Sequence, residues 1–379
     1  MAGRETLCWL LKVQCSVKER ALLSRIGVVM ILDILPLAGG TARLVRVYGG
    51  EPCVKLPGAV PAPEGRASGP STELGDYCFS EKPRGLPGPE KICRYERAED
   101  GKLCLTRAFG RDVSGKERYS FDFDAPAAPA QDDELHPICG NFLEEVTLPE
   151  SLRVIGSCTF YNCRRLRRVT LGPGVEGFGS DLFTNCRQLQ TFRLRAAADA
   201  PTGLKKLLGA VSADITVELD GAQLFYPEYS EFLDENTPAH IFNHSIEGEG
   251  YRMRQCFTPG GAVDYAAFDA SFAQACVGES EDKLCRLALG RLVQPFGLGD
   301  DARADYELYL TAHPEAAFRR AIDDRDEAAL RLLGGAEPAD SRCRGLLPPA
   351  SGGAAGAAVL LGRAKRDEKK RMILTICRP

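Results

Sequence analysis

The sequence predicts an α+β fold, with a short, irregular β-solenoid followed by an α-helical hairpin domain. The solenoid is predicted from a repeat, because Leu143, Leu166 and Leu189 begin three copies of one phrase at a spacing of 23 residues. A fixed period of this size indicates stacked units, each of which buries its apolar face against its neighbours. The helical domain is predicted from the apolar residues after about residue 263, which recur at helical spacing.

Residues 1–29 are predicted to be an N-terminal extension of uncertain status. The apolar run Ile26–Leu32 follows basic residues, as in a secretory signal, but Asp33 interrupts it and no small-residue cleavage site follows. No stretch reaches the ~20 apolar residues that a transmembrane helix needs. The alternative is a natural start at Met30, with Ile31–Leu37 as the first strand.

The solenoid is predicted over residues 30–220, with loop insertions at about 61–70 and 80–135. Cys53–Pro57 ends on the Val-x-Leu-Pro phrase of the clear copies, and Leu74–Phe79 has their spacing from glycine to phenylalanine. The repeat is therefore expected to begin before the clear copies and to be split by an insertion. Other strand-like stretches are Arg43–Tyr48 and, in an otherwise irregular insertion, Tyr119–Asp124.

Each clear copy divides into a strand, a turn and a stacked core. Gly156 and Gly179 suit tight turns with no room for a Cβ atom. The cysteines at the ends of the copies are interpreted as small packing residues, because they repeat in phase with the core. The residues expected to point inward are Val146, Leu148, Val169, Leu171, Phe192 and Leu194, and the expected stacked pairs are Phe160 with Phe183 and Cys163 with Cys186.

After the repeats, Leu204–Val211 suits a short helix and Ile215–Leu219 suits a strand that closes the solenoid. Residues 221–262 are interpreted as a polar and aromatic connector. Residues 263–379 are predicted to form the α-helical domain. Tyr265, Phe268, Phe272 and Cys276 share a helical spacing, Pro295 and Gly297 end a helix, His313-Pro314 separates two helices, and Ala354–Lys369 suits a last helix.

The 23-residue phrase resembles the BspA-like leucine-rich repeats, whose unit reads roughly Leu-x-x-Val-x-Ile-Pro and then Ile-Gly-x-x-x-Phe-x-x-Cys. Gly172 stands where the proline is usual, and Phe178 stands where the isoleucine is usual. The resemblance covers residues 143–194 and implies a binding or scaffold role, with no catalytic activity attached to the repeat. The matching residues are Leu143, Val146, Leu148, Pro149, Ile155, Gly156, Phe160 and Cys163, then Leu166, Val169, Leu171, Gly179, Phe183 and Cys186.

A second resemblance concerns the helical domain. Arg319–Leu330 resembles a degenerate ankyrin-type helix pair. It implies that the C-terminal part is repeat-like, and that it either caps the solenoid or binds a second partner.

Composition narrows the class of protein. The net charge of -4 argues against a dedicated nucleic-acid-binding protein, which needs a concentrated basic face. The 15 cysteines are an odd number with no C-x-x-C pair, so a zinc ribbon and a disulfide framework are both disfavoured. Reduced thiols predict a cytoplasmic protein, and the alternative is a secreted or surface-attached adhesion protein.

A cluster of arginines flanks the second and third copies of the repeat. If these side chains align in the solenoid, they form a basic stripe suited to an acidic partner. The alternative, which the sequence favours, is that they are solvated positions on a convex or loop face. The six candidate partner-binding residues are Arg164, Arg165, Arg167, Arg168, Arg187 and Arg193.

Histidine and cysteine residues give a second alternative, a thiol- or metal-dependent enzyme. His240 and His244 stand four residues apart and would share one side of a helix, with Cys256 nearby in the sequence. No His-Glu-x-x-His arrangement, nucleotide-binding loop or Gly-x-Ser-x-Gly elbow accompanies them. The sequence therefore predicts a non-enzymatic protein without a metal or cofactor, which binds an unidentified protein partner through the repeat surface.

Overall fold

The computed structural model describes residues 28–61, 69–98, 100–112, 136–236 and 241–334. The chain divides into two units: unit 1 is Met1–Arg195 with Thr202–Val211, and unit 2 is Ala196–Pro201 with Ser212–Pro379. Strands dominate unit 1, and strands followed by helices make up unit 2. The predicted α+β class is confirmed. The predicted extension at residues 1–29 lies almost wholly outside the described residues.

The repeat phrases of unit 1 form two sets of parallel strands. Ladder 1 consists of β3 (Cys53–Lys55), β9 (Glu145–Thr147), β11 (Arg168–Leu171) and β13 (Thr191–Ala197), paired in that order. Ladder 2 consists of β5 (Gly69–Leu74), β10 (Val154–Ile155) and β12 (Gly177–Phe178). Each of the first three copies of the phrase therefore contributes one strand to each ladder, and the last copy contributes β13 to ladder 1 alone. We call one such copy a rung.

The inward-facing residues of ladder 1 form continuous apolar columns. Val54, Val146, Val169 and Phe192 are successive register partners, and all four are buried. The alternation predicted for the clear copies is confirmed, because a strand places every second side chain on the same face. The rung that contains Val54 is the early copy of the repeat that the Val-x-Leu-Pro phrase of Cys53–Pro57 predicts.

A stack of phenylalanine rings fills the interior beside the ladders. The ring centroids of Phe79 and Phe160 lie 5.3 Å apart, and those of Phe160 and Phe183 lie 5.4 Å apart, with nearly parallel planes. The Sγ of Cys163 donates a hydrogen bond to the carbonyl oxygen of Phe79 at 3.2 Å, and Cys186 does the same to Phe160 at 3.1 Å. Each cysteine therefore joins its rung to the preceding one, which confirms its structural role.

Two glycines allow the rungs to approach closely. A Cβ atom on Gly179 would lie 2.3 Å from the backbone nitrogen of Ser157, and one on Gly156 would lie 2.6 Å from that of Asp76. Real Cβ atoms do not approach backbone atoms so closely. The sequence prediction that these two positions have no room for a Cβ is confirmed.

A short helix closes the last rung of unit 1. Helix α1 (Leu204–Leu208) buries its three leucines, and the Nζ of Lys206 donates to the carbonyl oxygen of Glu176 at 3.1 Å. A Cβ atom on Gly203 would lie 2.2 Å from the carbonyl oxygen of Val175. This helix agrees with the prediction for Leu204–Val211 and covers the end of the stack.

One parallel strand, followed by antiparallel strands, extends ladder 2 at its other end. β5 pairs with β2 (Ala42–Gly49), which pairs with β1 (Val28–Pro36), and both strands agree with the sequence prediction. Beyond β1 come β6 (Cys93–Ala98), β7 (Leu103–Ala108) and β8 (Arg111–Asp112), while the two-residue β4 (Ala59–Val60) pairs with β5. Beyond β2, which is parallel to β5, the sheet therefore continues with antiparallel strands and not with further rungs.

The structure corrects the sequence prediction that residues 80–135 form an irregular insertion. Strands β6 to β8 fall within this range. Their apolar alternation is short, because only Cys93 and Tyr95 of β6 are buried, and charged residues lie between and after them. The buried Asp33 of β1 forms an ion pair with Arg94 of β6. The Nε of Arg94 lies 2.7 Å from the Oδ1 of Asp33. The predicted alternation at Tyr119–Asp124 lies outside the described residues.

Unit 2 begins with two antiparallel hairpins, and this is a second correction. The predicted closing strand is observed as β14 (Ile215–Asp220), which pairs with β15 (Ala222–Tyr226). β16 (Ser230–Asn236) then pairs with β17 (Ile241–Glu247). The sequence predicts a connector over residues 221–262. It does not predict β16 and β17, because their acidic and amide residues have a low strand propensity.

Seven helices follow in unit 2 within the described part of the chain. Their bounds are α2 (Gly250–Met253), α3 (Tyr265–Ala270), α4 (Phe272–Gly278), α5 (Glu281–Val293), α6 (Asp300–Ala312), α7 (Pro314–Asp323) and α8 (Glu327–Gly334). The predicted ends at Pro295 and at His313-Pro314 are confirmed. The run that was predicted from Tyr265 to Cys276 is broken at Ser271, whose Oγ bonds to the carbonyl oxygen of Phe268 at 2.6 Å.

Two findings complete the description of the helices. None of those in the described ranges is long and apolar enough to cross a membrane. The predicted last helix, Ala354–Lys369, lies outside the described residues.

Candidate interaction surface

The outward-facing residues of ladder 1 form a polar surface of two rows, which we call the ladder face. Because the strands are parallel and in register, side chains from successive rungs stand next to each other. The core beneath is apolar and buried, so the backbone holds these side chains at fixed spacing. The first row is Cys53, Glu145, Arg168 and Thr191, and the second is Lys55, Thr147, Thr170 and Arg193.

Charge changes sign along the ladder face. Glu51, Glu144 and Glu145 lie at the β3 and β9 end, where burial, followed by these three carboxylates, raises the pKa of the Cys53 thiol. Arg168 and Arg193 lie at the β11 and β13 end. The first row of the ladder face therefore has an acidic side at Glu145 next to a basic side at Arg168, and the second row carries positive charge at Lys55 and Arg193.

The six predicted arginines occupy two kinds of position. Arg168 and Arg193 lie on the ladder face, in neighbouring strands and different rows. Arg164 and Arg187 are exposed at equivalent turns that precede β11 and β13. Arg165 lies in the first of these turns and pairs with Glu144, and exposed Arg167 bonds to Gln188 at 3.3 Å. The arginines therefore do not share one line, and only two of them lie among the residues of the ladder face.

Sequence reasoning missed several residues of the ladder face. The six predicted partner-binding residues do not include Lys55 and Thr147, although the Val-x-Leu-Pro phrase places both at outward positions. The signal that could have found Lys55 and Thr147 is strand alternation rather than the density of arginines. Arg195 lies two residues beyond Arg193 on β13, outside the two rows, 2.6 Å from Glu150, and donates to the carbonyl oxygen of Leu148 at 2.6 Å.

The two described candidates for a thiol or metal site, His244 and Cys256, have different hydrogen-bond partners. His240 lies outside the described residues, and His244 lies in β17, not on a helix, with its Nε2 3.2 Å from Glu231. Cys256 follows α2, and its Sγ lies 3.6 Å from the carbonyl oxygen of Arg252. Burial, and next Asp264, raises the pKa of this thiol, whereas an activated nucleophile needs a lowered pKa. Among the described residues no three His, Cys, Asp or Glu side chains cluster as metal ligands.

Comparison with protein families identifies the repeat. Residues 139–200 match the family described as the BspA type leucine rich repeat region (6 copies). This range contains the rungs of β9 and β11 and the strand β13. No curated protein matches the chain.

One solved structure is similar to part of the chain. It is the crystal structure of a leucine rich cell surface protein from Faecalibacterium prausnitzii A2-165, at 18% sequence identity and a TM-score of 0.26. The match covers 50% of this chain and 41% of that protein, so it spans less than half the length of that protein. This TM-score is too low to show that the two proteins share a fold.

Proposed function

We propose that this chain, whose residues 139–200 are a BspA-type leucine-rich repeat region, is a non-enzymatic module that binds a partner protein. In this proposal the two parallel ladders and the phenylalanine stack form a short solenoid, and the partner binds to the ladder face. The single observation that carries the proposal is the ladder face itself, with two rows of polar side chains in register over a buried core.

The physics of the ladder face supports a protein as ligand. Its side chains stand on paired strands, so the backbone that carries them loses little conformational entropy when a partner binds. An acidic side next to a basic side selects a partner with the opposite arrangement, since complementary charge gives specificity and speeds association. A dedicated nucleic-acid site would instead need one continuous basic face.

Three further parts of the sequence interpretation stay predictions. The absence of catalysis is supported by the raised pKa of the Cys256 thiol and by the position of His244 in an exposed strand. The cytoplasmic location rests on the reduced thiols expected from the sequence. The repeat-like nature of the helices is likewise a prediction.

A charge-reversal experiment tests the ladder face. The full chain carrying Arg168→Glu and Arg193→Glu is used as bait in a lysate of the native host, and captured proteins are quantified by mass spectrometry. We expect at least one partner of the wild-type chain to be depleted about tenfold, because two cationic contacts become repulsive.

The matched control is the pair Arg164→Glu and Arg187→Glu, which makes the same charge change at the exposed turns. Partners that bind the ladder face should be retained by this variant. Equal depletion by both pairs would show that only net charge matters, and full retention by Arg168→Glu with Arg193→Glu would remove the ladder face as the site. Thermal unfolding of each variant checks that it is folded.

A further inference from the structure

The hairpin β16–β17 of unit 2 stands apart from the other described strands. Its two strands pair through seven register partners, from Ser230 with Glu247 to Asn236 with Ile241. Within the described part of the chain they form a sheet of two strands only. An isolated two-stranded hairpin is marginally stable in water, and its outer edges carry backbone groups without a ladder partner.

A buried arginine fixes the base of this hairpin. The Nη1 of Arg254 donates to the carbonyl oxygens of Pro227, before β16, at 2.5 Å and of Gly250, after β17, at 3.0 Å. The guanidinium also lies 5.0 Å from the ring centroid of Tyr229, which contacts Tyr251 edge to face. Both ends of the hairpin are therefore held in place, and this lowers the entropy that a partner must remove on binding.

Apolar side chains are exposed on the strands beyond this base. Leu233 is 68% exposed, Phe232 is 44% exposed and Ile246 is 37% exposed. Leu233 is the register partner of His244, and Glu231 is that of Ile246, so each of these pairs joins an apolar side chain to a polar one. Exposed apolar residues next to an unpaired strand edge are typical of surfaces that accept an added strand.

The charge of the hairpin indicates which strand it accepts. The two strands carry Glu231, Asp234, Glu235 and Glu247 and no lysine or arginine, and three of the four acidic residues are in β16. A second copy of the hairpin would bring the same negative charges, and like charges disfavour such pairing. A basic strand would instead gain favourable cross-strand pairs.

We propose that the hairpin β16–β17 is a docking arm for an extended, lysine- or arginine-rich segment of a partner protein, which adds as a strand to the edge of β16. Main-chain hydrogen bonds to the edge supply affinity, and contacts with the acidic and apolar side chains supply selectivity. This site is separate from the ladder face, so either can be correct without the other.

The test uses the full chain and a synthetic peptide that alternates lysine and valine, labelled for fluorescence anisotropy. We expect saturable binding to the wild-type chain and binding about tenfold weaker to the variant with Glu231→Lys and Glu247→Lys. The matched control carries Glu315→Lys and Glu327→Lys, the same charge change at exposed positions on α7 and α8, and should bind like the wild type.

A second peptide separates strand addition from simple charge attraction. Replacing its central valine by proline keeps every positive charge but removes a ladder hydrogen bond. The proline peptide should bind about tenfold more weakly. Equal binding of the two peptides, equal binding to the wild type and to Glu231→Lys with Glu247→Lys, or no saturable binding at all would each overturn the proposal.

Hydrogen exchange locates the site without any substitution. The peptide should protect the backbone amides of Ser230–Asn236 in the wild-type chain, and protection elsewhere alone would overturn the proposal. Two other occupants are distinguishable. Dimerisation of the wild type that the hairpin substitutions abolish would identify a second copy. Peptide binding only to a chain shortened after Glu368 would identify the basic Lys369–Arg371, which lie outside the described residues.

Discussion

Equivalent positions in successive rungs repeat the same left-handed backbone conformation. Tyr77, Cys158 and Asp181 adopt φ values of 57°, 54° and 54°, although none of them is glycine. Asn162 and Asn185 adopt φ values of 64° and 63°, and their side-chain amides are joined by a 2.8 Å hydrogen bond. A left-handed backbone is unfavourable for most residues other than glycine. The packing of the surrounding rungs therefore has to offset this conformational free energy at each turn.

The close approach at Gly179 gives a prediction for a single residue. Gly179→Ala should lower the free energy of unfolding of the repeat by about 1–3 kcal/mol, because the new Cβ would press on the backbone of Ser157. Urea unfolding followed by circular dichroism measures this change.

Gly58→Ala is the matched control in the same unit. Its Cβ would lie 3.9 Å from the nearest atom, the Cβ of Pro149, which is ordinary contact. This substitution should change stability by less than about 1 kcal/mol. Equal urea midpoints for the two variants would contradict the close packing of rungs at Gly179.

The sequence predicted those residues whose type repeats, and it missed those whose backbone alone repeats. Phe160 and Phe183 share a residue type, so their stacking could be inferred from spacing. Tyr77, Cys158 and Asp181 have no chemistry in common, and their shared conformation is visible only in the structure. Lys55 is absent from the predicted site for another reason, because that site follows the density of arginines and not the strand alternation.

Among the elements, prediction succeeded where the signal is local. Proline marks the ends of α5 and α6, and strand alternation marks β2 and β11. It failed for β6 and for the hairpin β16–β17, because their pairing compensates for a sequence that is rich in charge. Strand pairing depends on the partner strand and its burial more than on intrinsic propensity.

A buried polar cluster ties three helices of unit 2 together. Asp269 of α3 accepts hydrogen bonds from the Nε of Arg291 of α5 at 2.7 Å and from the hydroxyl of Tyr306 of α6 at 2.8 Å. Burial alone would lower the pKa of Arg291, but the bonds to Asp269 outweigh it and raise that pKa. Arg291 is therefore held in its charged form inside the unit.

Asp269→Asn should destabilise unit 2 by about 3–5 kcal/mol, because it leaves the Arg291 guanidinium buried without its counter-charge. Thermal unfolding of the full chain measures this loss as a lower midpoint for the helical transition. Glu315→Gln, which breaks an exposed pair with Arg319, is the control and should cost less than about 1 kcal/mol. A midpoint that is unchanged by Asp269→Asn would show that the cluster contributes little.

At the scale of the whole molecule, buried thiols link stability to alkaline pH in both units. Burial raises the pKa of Cys78 and Cys186 in unit 1, and of Cys285 in unit 2, to about 12. The ordinary value of such a thiol is 9.0. The folded chain therefore favours the protonated thiol, and unfolding becomes more favourable once the unfolded thiol ionises.

We expect the contribution of these thiols to the free energy of unfolding to be constant below about pH 9, so that the free energy of unfolding falls as the pH rises from there towards about 12. Urea unfolding at a series of pH values measures this slope. In Cys186→Ala the loss between pH 9 and 12 should be smaller than in the wild type, because one titrating thiol is removed. A stability that stays level or increases with pH over this range would contradict the prediction.

The rung that begins at Cys53 stands next to the rung of Glu145 although a large part of unit 1 separates them in the chain. The entropy of closing a loop grows only with the logarithm of its length, by about 0.6 kcal/mol for each doubling. Stacking Phe79 on Phe160 and pairing β3 with β9 offset this cost. The architecture therefore accepts new chain between rungs at little thermodynamic expense, and neighbours in the stack need not be neighbours in the sequence.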